Sequence, residues 1–427
     1  MNLKLSNIGK IPINTLAELS SIDINTIAEK YGVALVGAAY LGSFSGVSLL
    51  LDQGADINAV GGPYGTAVTA AVSAWRKGVD IIKLLLDRGA NVNAVGGDYG
   101  TPLAATAFKG NMDIMSLLLD RGANINAVGG YYGTPLAAAA FEGKMDALLF
   151  LLDRGADINA VGGIYGTVLA TAAFKGENDT VSLLLDRGAD INAVGGDYGT
   201  ALAVTALNEH PFYGPNKTMV LLLSQGADIN AVGGEYGTAL AVAASKGNMR
   251  AVSFLLNRGA DINAGGSEYG SALPVAAFYN KKEIVQLLLD QGADINVLSA
   301  KYGTALAAAA FRGNTDILLL LLERGADIQA VDIKYGTVVA AAAFGGNTDI
   351  VSLLLERGAN IDANINAVGG GGIMDAVGLL LEHGADVICP VGNYATTSGS
   401  ISLLVFYQCL LAAHKMAKQV CIQIHWI

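Results

Sequence analysis

Residues 97–130 read GDYGTPLAATAFKGNMDIMSLLLDRGANINAVGG, and the same wording returns with small changes along most of the 427-residue chain. A Tyr-Gly pair marks each return, at Tyr31, Tyr64, Tyr99, Tyr132, Tyr165, Tyr198, Tyr236, Tyr269, Tyr302 and Tyr335. Successive markers lie 33 residues apart, except for steps of 35 from Tyr64 to Tyr99 and 38 from Tyr198 to Tyr236. A fixed period of this length belongs to a stacked solenoid, in which each unit buries its apolar face against its neighbours. Arrays of that kind usually work by binding.

The local chemistry of the unit is legible. Thr101 is a good N-cap, and Pro102 stands at the first helical position, where its missing N–H costs nothing. A short Ala-rich helix is predicted from Leu103 to Phe108, closing at Lys109-Gly110. Asp113 then opens a second helix, a carboxylate suiting the positive helix end. That helix carries Leu117-Leu118-Leu119 into the core and ends at Arg121, with Gly122 as the left-handed cap. Ala123 to Gly130 reads as a hairpin with a Gly-Gly turn. Small Ala side chains let neighbouring first helices approach to about 8–10 Å. Ten units at about 10 Å each predict an arc near 100 Å long.

Composition excludes several functions. The hydrophobic fraction of 52% consists largely of Ala, Leu and Val at repeat positions. The apolar runs, such as Ala305–Phe311, fall short of the roughly 18–20 residues a bilayer span needs. The first 20 residues lack a signal peptide's apolar core. The three cysteines, all at or beyond Cys389, make no disulfide framework. A cytoplasmic, non-secreted protein is expected. The net charge of −11 argues against nucleic acid.

Catalytic constellations are missing as well. The four histidines (His210, His383, His414, His425) do not stand at helical spacing with a carboxylate or cysteine. Gly-Gly-Asp-Tyr-Gly-Thr lacks the Gly-Lys-Ser/Thr of a phosphate loop. The Asp and Asn of Gly-Ala-Asp-Ile-Asn lack the ligand density of a calcium site and are expected to satisfy backbone groups. No enzyme activity, metal or cofactor is expected.

Thr134-Pro135-Leu136, Leu151-Leu152, Gly155-Ala156-Asp157 and Asn159 together resemble the ankyrin repeat, in ten near-complete copies. The Ala-Val-Gly-Gly-x-Tyr-Gly-Thr variant resembles ankyrin arrays of filamentous-fungal proteins. The resemblance implies an all-α repeat solenoid of helix-turn-helix units with β-hairpin fingers, and a protein partner bound along a concave face. Two departures stand out. The family's His after Pro-Leu is replaced by small residues such as Ala104 and Ala137, which removes a hydrogen bond that ties repeats together. The hairpin Gly is moved to follow Tyr.

The resemblance marks two candidate protein-binding surfaces. The residue before each Tyr-Gly pair falls at a hairpin tip and changes from copy to copy: Pro63, Asp98, Tyr131, Ile164, Asp197, Glu235, Glu268, Lys301 and Lys334. This variation is either recognition or drift at a tolerant loop position. The order runs from acidic tips to basic ones, which would hold a partner of opposite polarity in register. The second surface is an aromatic ladder at the end of the first helix: Tyr40, Phe108, Phe141, Phe174, Phe278, Phe311 and Phe344. Trp75 lies nearby in its copy, and Leu207 and Ser245 interrupt the row. The rings either anchor a partner in the concave groove or close the core between units. The invariant Tyr of the marker is expected to be structural. The loop from Leu207 to Lys217 is the one large break in the symmetry.

Residues 1–30 read as a worn half-repeat serving as a cap, and residues 31–388 as the array, its last copy degenerate. Residues 389–427 lack the repeat and read as either a cap or an unstructured tail. The expected function is a scaffold or adaptor that recognises a protein partner, with the array itself monomeric. The alternative is an inhibitor or effector that occludes an enzyme through a few adjacent repeats.

Overall fold

A computed structural model describes residues 34–74, 78–207, 217–266, 268–332 and 336–360. The expected caps, the Lys334 tip, Trp75, the histidines and most of the Leu207–Lys217 loop lie outside these residues.

Each unit is a pair of helices followed by a tight loop. In one unit, Pro135–Phe141 is the inner helix and Met145–Asp153 the outer one. The next unit repeats them as Val168–Lys175 and Asn178–Asp186. The inner helices begin where the sequence says they must. Thr101, Thr134, Thr167, Thr200, Thr238, Thr304 and Thr337 each cap their helix, accepting a hydrogen bond from the backbone N–H three residues on. Ser271 holds the same place, but its buried Oγ meets no partner among the described residues. The inner helix Pro102–Lys109 ends at Gly110, whose φ of 73° is the left-handed closure expected of it. The outer helix differs in one detail from the reading above. Asn111, not Asp113, is its N-cap and accepts from the Ile114 N–H, while Asp113 sits in the first turn.

Inner helices within the array, such as Pro135–Phe141, are buried nearly all round. Leu136 to Ala140 are at most 1% exposed, because this helix is enclosed by the inner helices on either side and by its own outer helix. Outer helices bury one stripe only, as at Ala147, Leu148 and Leu151. The inner helices pack against their successors along the array, whereas successive outer helices touch far less. Equivalent aromatic rings of adjacent units lie 6.4 Å apart at Phe108–Phe141 and 5.7 Å apart at Phe311–Phe344.

The fingers are smaller than a hairpin. Two-residue strands occur once among the described residues, Val331–Asp332 pairing antiparallel with Gly336–Thr337. Elsewhere a single bridge closes the loop, as at Gly96–Gly100, Gly129–Gly133 and Gly195–Gly199. The segment expected to form the first strand, from Ala123, is instead turned back on itself, the Ala127 N–H bonding the Asn124 carbonyl. The turn is made by Gly130, Tyr131 and Tyr132, between the bridged glycines. Close packing explains the glycine behind Tyr. Gly133 has a φ of 86°, and a Cβ there would stand 2.2 Å from the Gly162 carbonyl carbon of the next unit.

Candidate protein-binding surface

Three sets of bonds tie the units together, and they decide how the candidate residues are presented. The first runs through the tips. The Asp98 N–H donates to the Pro63 carbonyl at 2.7 Å, Tyr131 to Asp98 at 2.7 Å, Ile164 to Tyr131 at 3.2 Å and Asp197 to Ile164 at 3.0 Å. Glu235 continues to Asp197 at 2.8 Å, and Lys301 donates to Glu268 at 2.8 Å. Proline has no N–H to donate, so this ladder cannot extend backwards past Pro63. The second set runs through the last Asn of Asp-Ile-Asn, or of Asn124-Ile125-Asn126. Asn126 accepts from the Asp157 N–H at 2.8 Å, Asn159 from Asp190 at 2.8 Å and Asn192 from Asp228 at 2.8 Å. The third joins helix ends: Asn314 and Asn347 donate to the Ala277 and Ala310 carbonyls of the preceding inner helix, each at 2.8 Å. The ties expected to vanish with the missing histidine are thus made by asparagine and by backbone. Exposed pairs such as Arg121–Asp87 at 2.8 Å add about 0–1 kcal/mol each.

On that framework the tip side chains point outward. Pro63, Asp98, Tyr131, Asp197, Glu235 and Glu268 are exposed, while Ile164 and Lys301 are half-buried. Lys301 is not a free basic tip. Its Nζ lies 3.1 Å from the Glu268 carboxylate and 3.8 Å from the centre of the Tyr269 ring. Burial pulls the Lys301 pKa down, but hydrogen bonds with Tyr269 and Glu268 outweigh it and leave it raised.

The aromatic ladder is a stack. Tyr40 is 38% exposed, and Phe108, Phe141, Phe174, Phe278, Phe311 and Phe344 are half-buried. Phe rings stack on their equivalents, Phe141 on Phe174 at 6.4 Å and Phe278 on Phe311 at 6.0 Å. They also interleave with the marker tyrosines: Tyr132 meets Phe141 at 4.6 Å, Tyr165 meets Phe174 at 4.4 Å and Phe278 meets Tyr302 at 3.9 Å. Two rows that look independent in sequence form one slab of rings along the inner edge. Where Leu207 and Ser245 interrupt the Phe row, Tyr198 and Tyr236 still stack at 5.7 Å, and the Lys246 Nζ stands 5.8 Å from each ring centre.

The slab changes the acidity of its hydroxyls. Burial, with the Tyr40 hydroxyl beside it, pushes Tyr64 up to about 12. Burial and the neighbouring Tyr99 do the same for Tyr132, also to about 12. Tyr165, Tyr236 and Tyr302 are raised further by burial and by hydroxyl partners, Tyr131 for the first and Tyr279 for the other two.

One surface feature escaped the sequence reading. Val60, Val95, Val128, Val161, Val194 and Val232 are 41–58% exposed, each flanking the next unit's glycine on one side and open on the other. The signal was present: Val stands before Gly-Gly in six successive copies of the loop.

The family model described as ankyrin repeats (3 copies) matches residues 68–162, 212–299, 273–367 and 306–391, and the single ankyrin repeat matches residues 167–196. These matches cover more than half of the chain. The chain belongs to the ankyrin repeat family. The family match runs on to residue 391 and so takes in the degenerate last copy. No curated protein matches the chain. Ankyrin repeats generally mediate protein–protein interaction and are typically non-enzymatic. Among the described residues of this ankyrin array, no helix is long and apolar enough to cross a membrane.

Proposed function

We propose that this ankyrin array is a cytoplasmic, monomeric scaffold or adaptor, not an enzyme, and that it recognises a protein partner through its finger tips. One observation supports this reading above the others. The tip backbones are hydrogen-bonded from unit to unit from Pro63 to Glu235 and again from Glu268 to Lys301, while the side chains they carry differ and most of them face solvent. A rigid row of variable side chains presents a preorganised surface, which lowers the ordering cost of binding. Tyr131 at 44% exposure is the aromatic anchor of that row. The Phe ladder contributes the inner wall, held by its own stacking.

The reading is tested by capture from lysate with the full chain. Replacing Asp98, Tyr131 and Asp197 together by Ala should remove a partner while circular dichroism stays native, whereas Phe108, Phe141 and Phe174 changed to Ser should first lower stability. Retention of every captured partner by the folded tip variant would refute recognition at the tips. Deletion of units from either end separates the two modes of action. An extended scaffold loses affinity gradually, while an inhibitor or effector that occludes an enzyme through a few repeats loses it in one step.

A further inference from the structure

One register of the outer helices reverses its charge in two adjacent units. Five residues before the fully buried Leu of each outer helix stand Asp80, Asp113, Asp146 and Asp179, then Lys217 and Arg250, then Glu283, Asp316 and Asp349. The carboxylates lie in the first turn, where they suit the positive end of the helix. A cation in that place opposes the same dipole, and the helices Lys217–Ser224 and Met249–Asn257 carry no acid there to offset it. Lys217 and Arg250 are both exposed, so the core does not require them. A local rule broken without a structural gain is the mark of a functional position.

More lysines gather at this edge. Lys246 ends the inner helix Ala239–Lys246, and Lys281 of the next unit packs on the residue that follows it. A Cβ at Gly247 would stand 3.1 Å from the Lys281 Nζ. The Asn248 side chain donates to the Ala206 carbonyl at 3.2 Å, which holds this turn against the unit of Lys217. Lys282 is engaged by Asp316 at 3.7 Å. Lys217, Lys246 and Lys281 make no ion pair among the described residues. Lys246 has the Tyr198 and Tyr236 ring centres 5.8 Å away. The tip carboxylates Asp197 and Glu235 precede the inner helices, whereas Lys246 and Lys281 follow them.

We propose that this edge, with Lys217, Lys246, Arg250 and Lys281, docks a short acidic segment of a partner protein, a run of Asp or Glu. The proposal rests on recognition of a protein partner, but not on the tips. The extent of the patch selects the ligand. Asp179 bounds it on one side and Glu283 on the other, in the same register. A nucleic acid strand, with a phosphate at every residue, would run onto carboxylates in both directions. An anionic bilayer would be repelled by the net charge of −11. A few contiguous carboxylates meet the cations and stop short of both bounding acids.

Calorimetric titration of the full chain with an acetylated, amidated Gly-Ser-Glu-Glu-Glu-Glu-Ser-Gly peptide tests this. The expected result is binding that weakens with added salt, is lost when Gln replaces Glu, and falls about fivefold or more in Lys246→Gln/Lys281→Gln. Lys217→Asp restores the acid of the other units. It should weaken the peptide about threefold or more and leave the melting temperature unchanged or higher. No binding of the peptide, or binding indifferent to both variants, would overturn the proposal. A lower melting temperature in Lys217→Asp would overturn the functional reading of that cation, since it would then be serving the fold. An oligothymidylate or a phosphatidylserine vesicle bound more tightly than the peptide would overturn the peptide assignment. The folded tip variant, with Asp98, Tyr131 and Asp197 changed to Ala, should bind the peptide as the parent does. If the peptide arms fail while lysate capture still depends on the tips, the acidic-segment site falls and recognition at the tips stands. If the peptide binds as expected while capture ignores the tips, the tips fall and this edge stands.

Discussion

At the scale of single residues, most of what matters is a side chain that reaches one unit along. Asn159 illustrates it: its side-chain oxygen accepts the Asp190 N–H at 2.8 Å, while Asp157 steadies the Asn159 N–H at 2.9 Å. Asn159→Ala should cost about 1 kcal/mol, the net worth of one hydrogen bond, and hydrogen exchange should quicken at the Asp190 amide before it does elsewhere. Phe141 has a different role, touching the rings of Phe108, Tyr132, Tyr165 and Phe174. Phe141→Ser should lower stability by about 2–4 kcal/mol, near the low end for loss of a buried aromatic because the ring is half-exposed. A thermal melt checks this, and an unchanged melting temperature would show that the ring is free to serve a partner. The sequence placed Phe141 in a row, but the row's contacts with the tyrosines could not be read from spacing, because they join residues 9 and 24 apart across two units.

At the scale of the element, the finger is where local rules and packing part company. Capping and helix closure were legible because they depend on residues within one turn: Thr101 caps Ala104, and Gly110 closes the helix. The finger was read as a longer hairpin because its glycines look like turn residues. They are in fact contact residues, set by the next unit. Two substitutions separate these roles. Gly155 has a φ of 85° with nothing near an added Cβ, whereas Gly133 has a φ of 86° and a carbonyl carbon 2.2 Å away. Gly155→Ala should cost about 1–2 kcal/mol from the left-handed backbone alone. Gly133→Ala should cost clearly more, since the tip ladder must open to admit the methyl group. Equal losses in denaturant titration would mean that the units are not packed this closely.

At the scale of the whole molecule, the aromatic slab couples stability to pH. The marker tyrosines from Tyr64 to Tyr302 have pKa values raised above the ordinary value of 10.0, to about 12 at Tyr64 and Tyr132. The folded state therefore keeps protons that the unfolded chain releases. Above pH 10 the unfolded chain binds fewer protons, so stability falls as pH rises. The contribution of Tyr64 and Tyr132 is complete below pH 10 and lost progressively from there to about 12. Thermal melts across this window should show a steep fall, and absorbance at the tyrosinate band should rise together with loss of helix. Because each tyrosine touches only its neighbours, the array should soften along its length in nearest-neighbour fashion and not as a single two-state unit.

The sequence by itself determined the unit, its two helices, their caps and the Tyr-Gly marker, because a 33-residue period and capping chemistry act over short stretches of chain. It also singled out the tips as the positions that change. Only the tertiary structure decided what those positions are attached to. The bonds from Asp98 to Pro63 and from Asn126 to Asp157, and the clasp of Lys301 by Glu268 and Tyr269, all join residues 31 to 35 apart. Which atoms meet at that separation is set by how far and at what angle one unit is displaced from the next. That displacement is fixed by the packing of alanine faces, glycine backbones and stacked rings along the array, and no single copy of the repeat contains it.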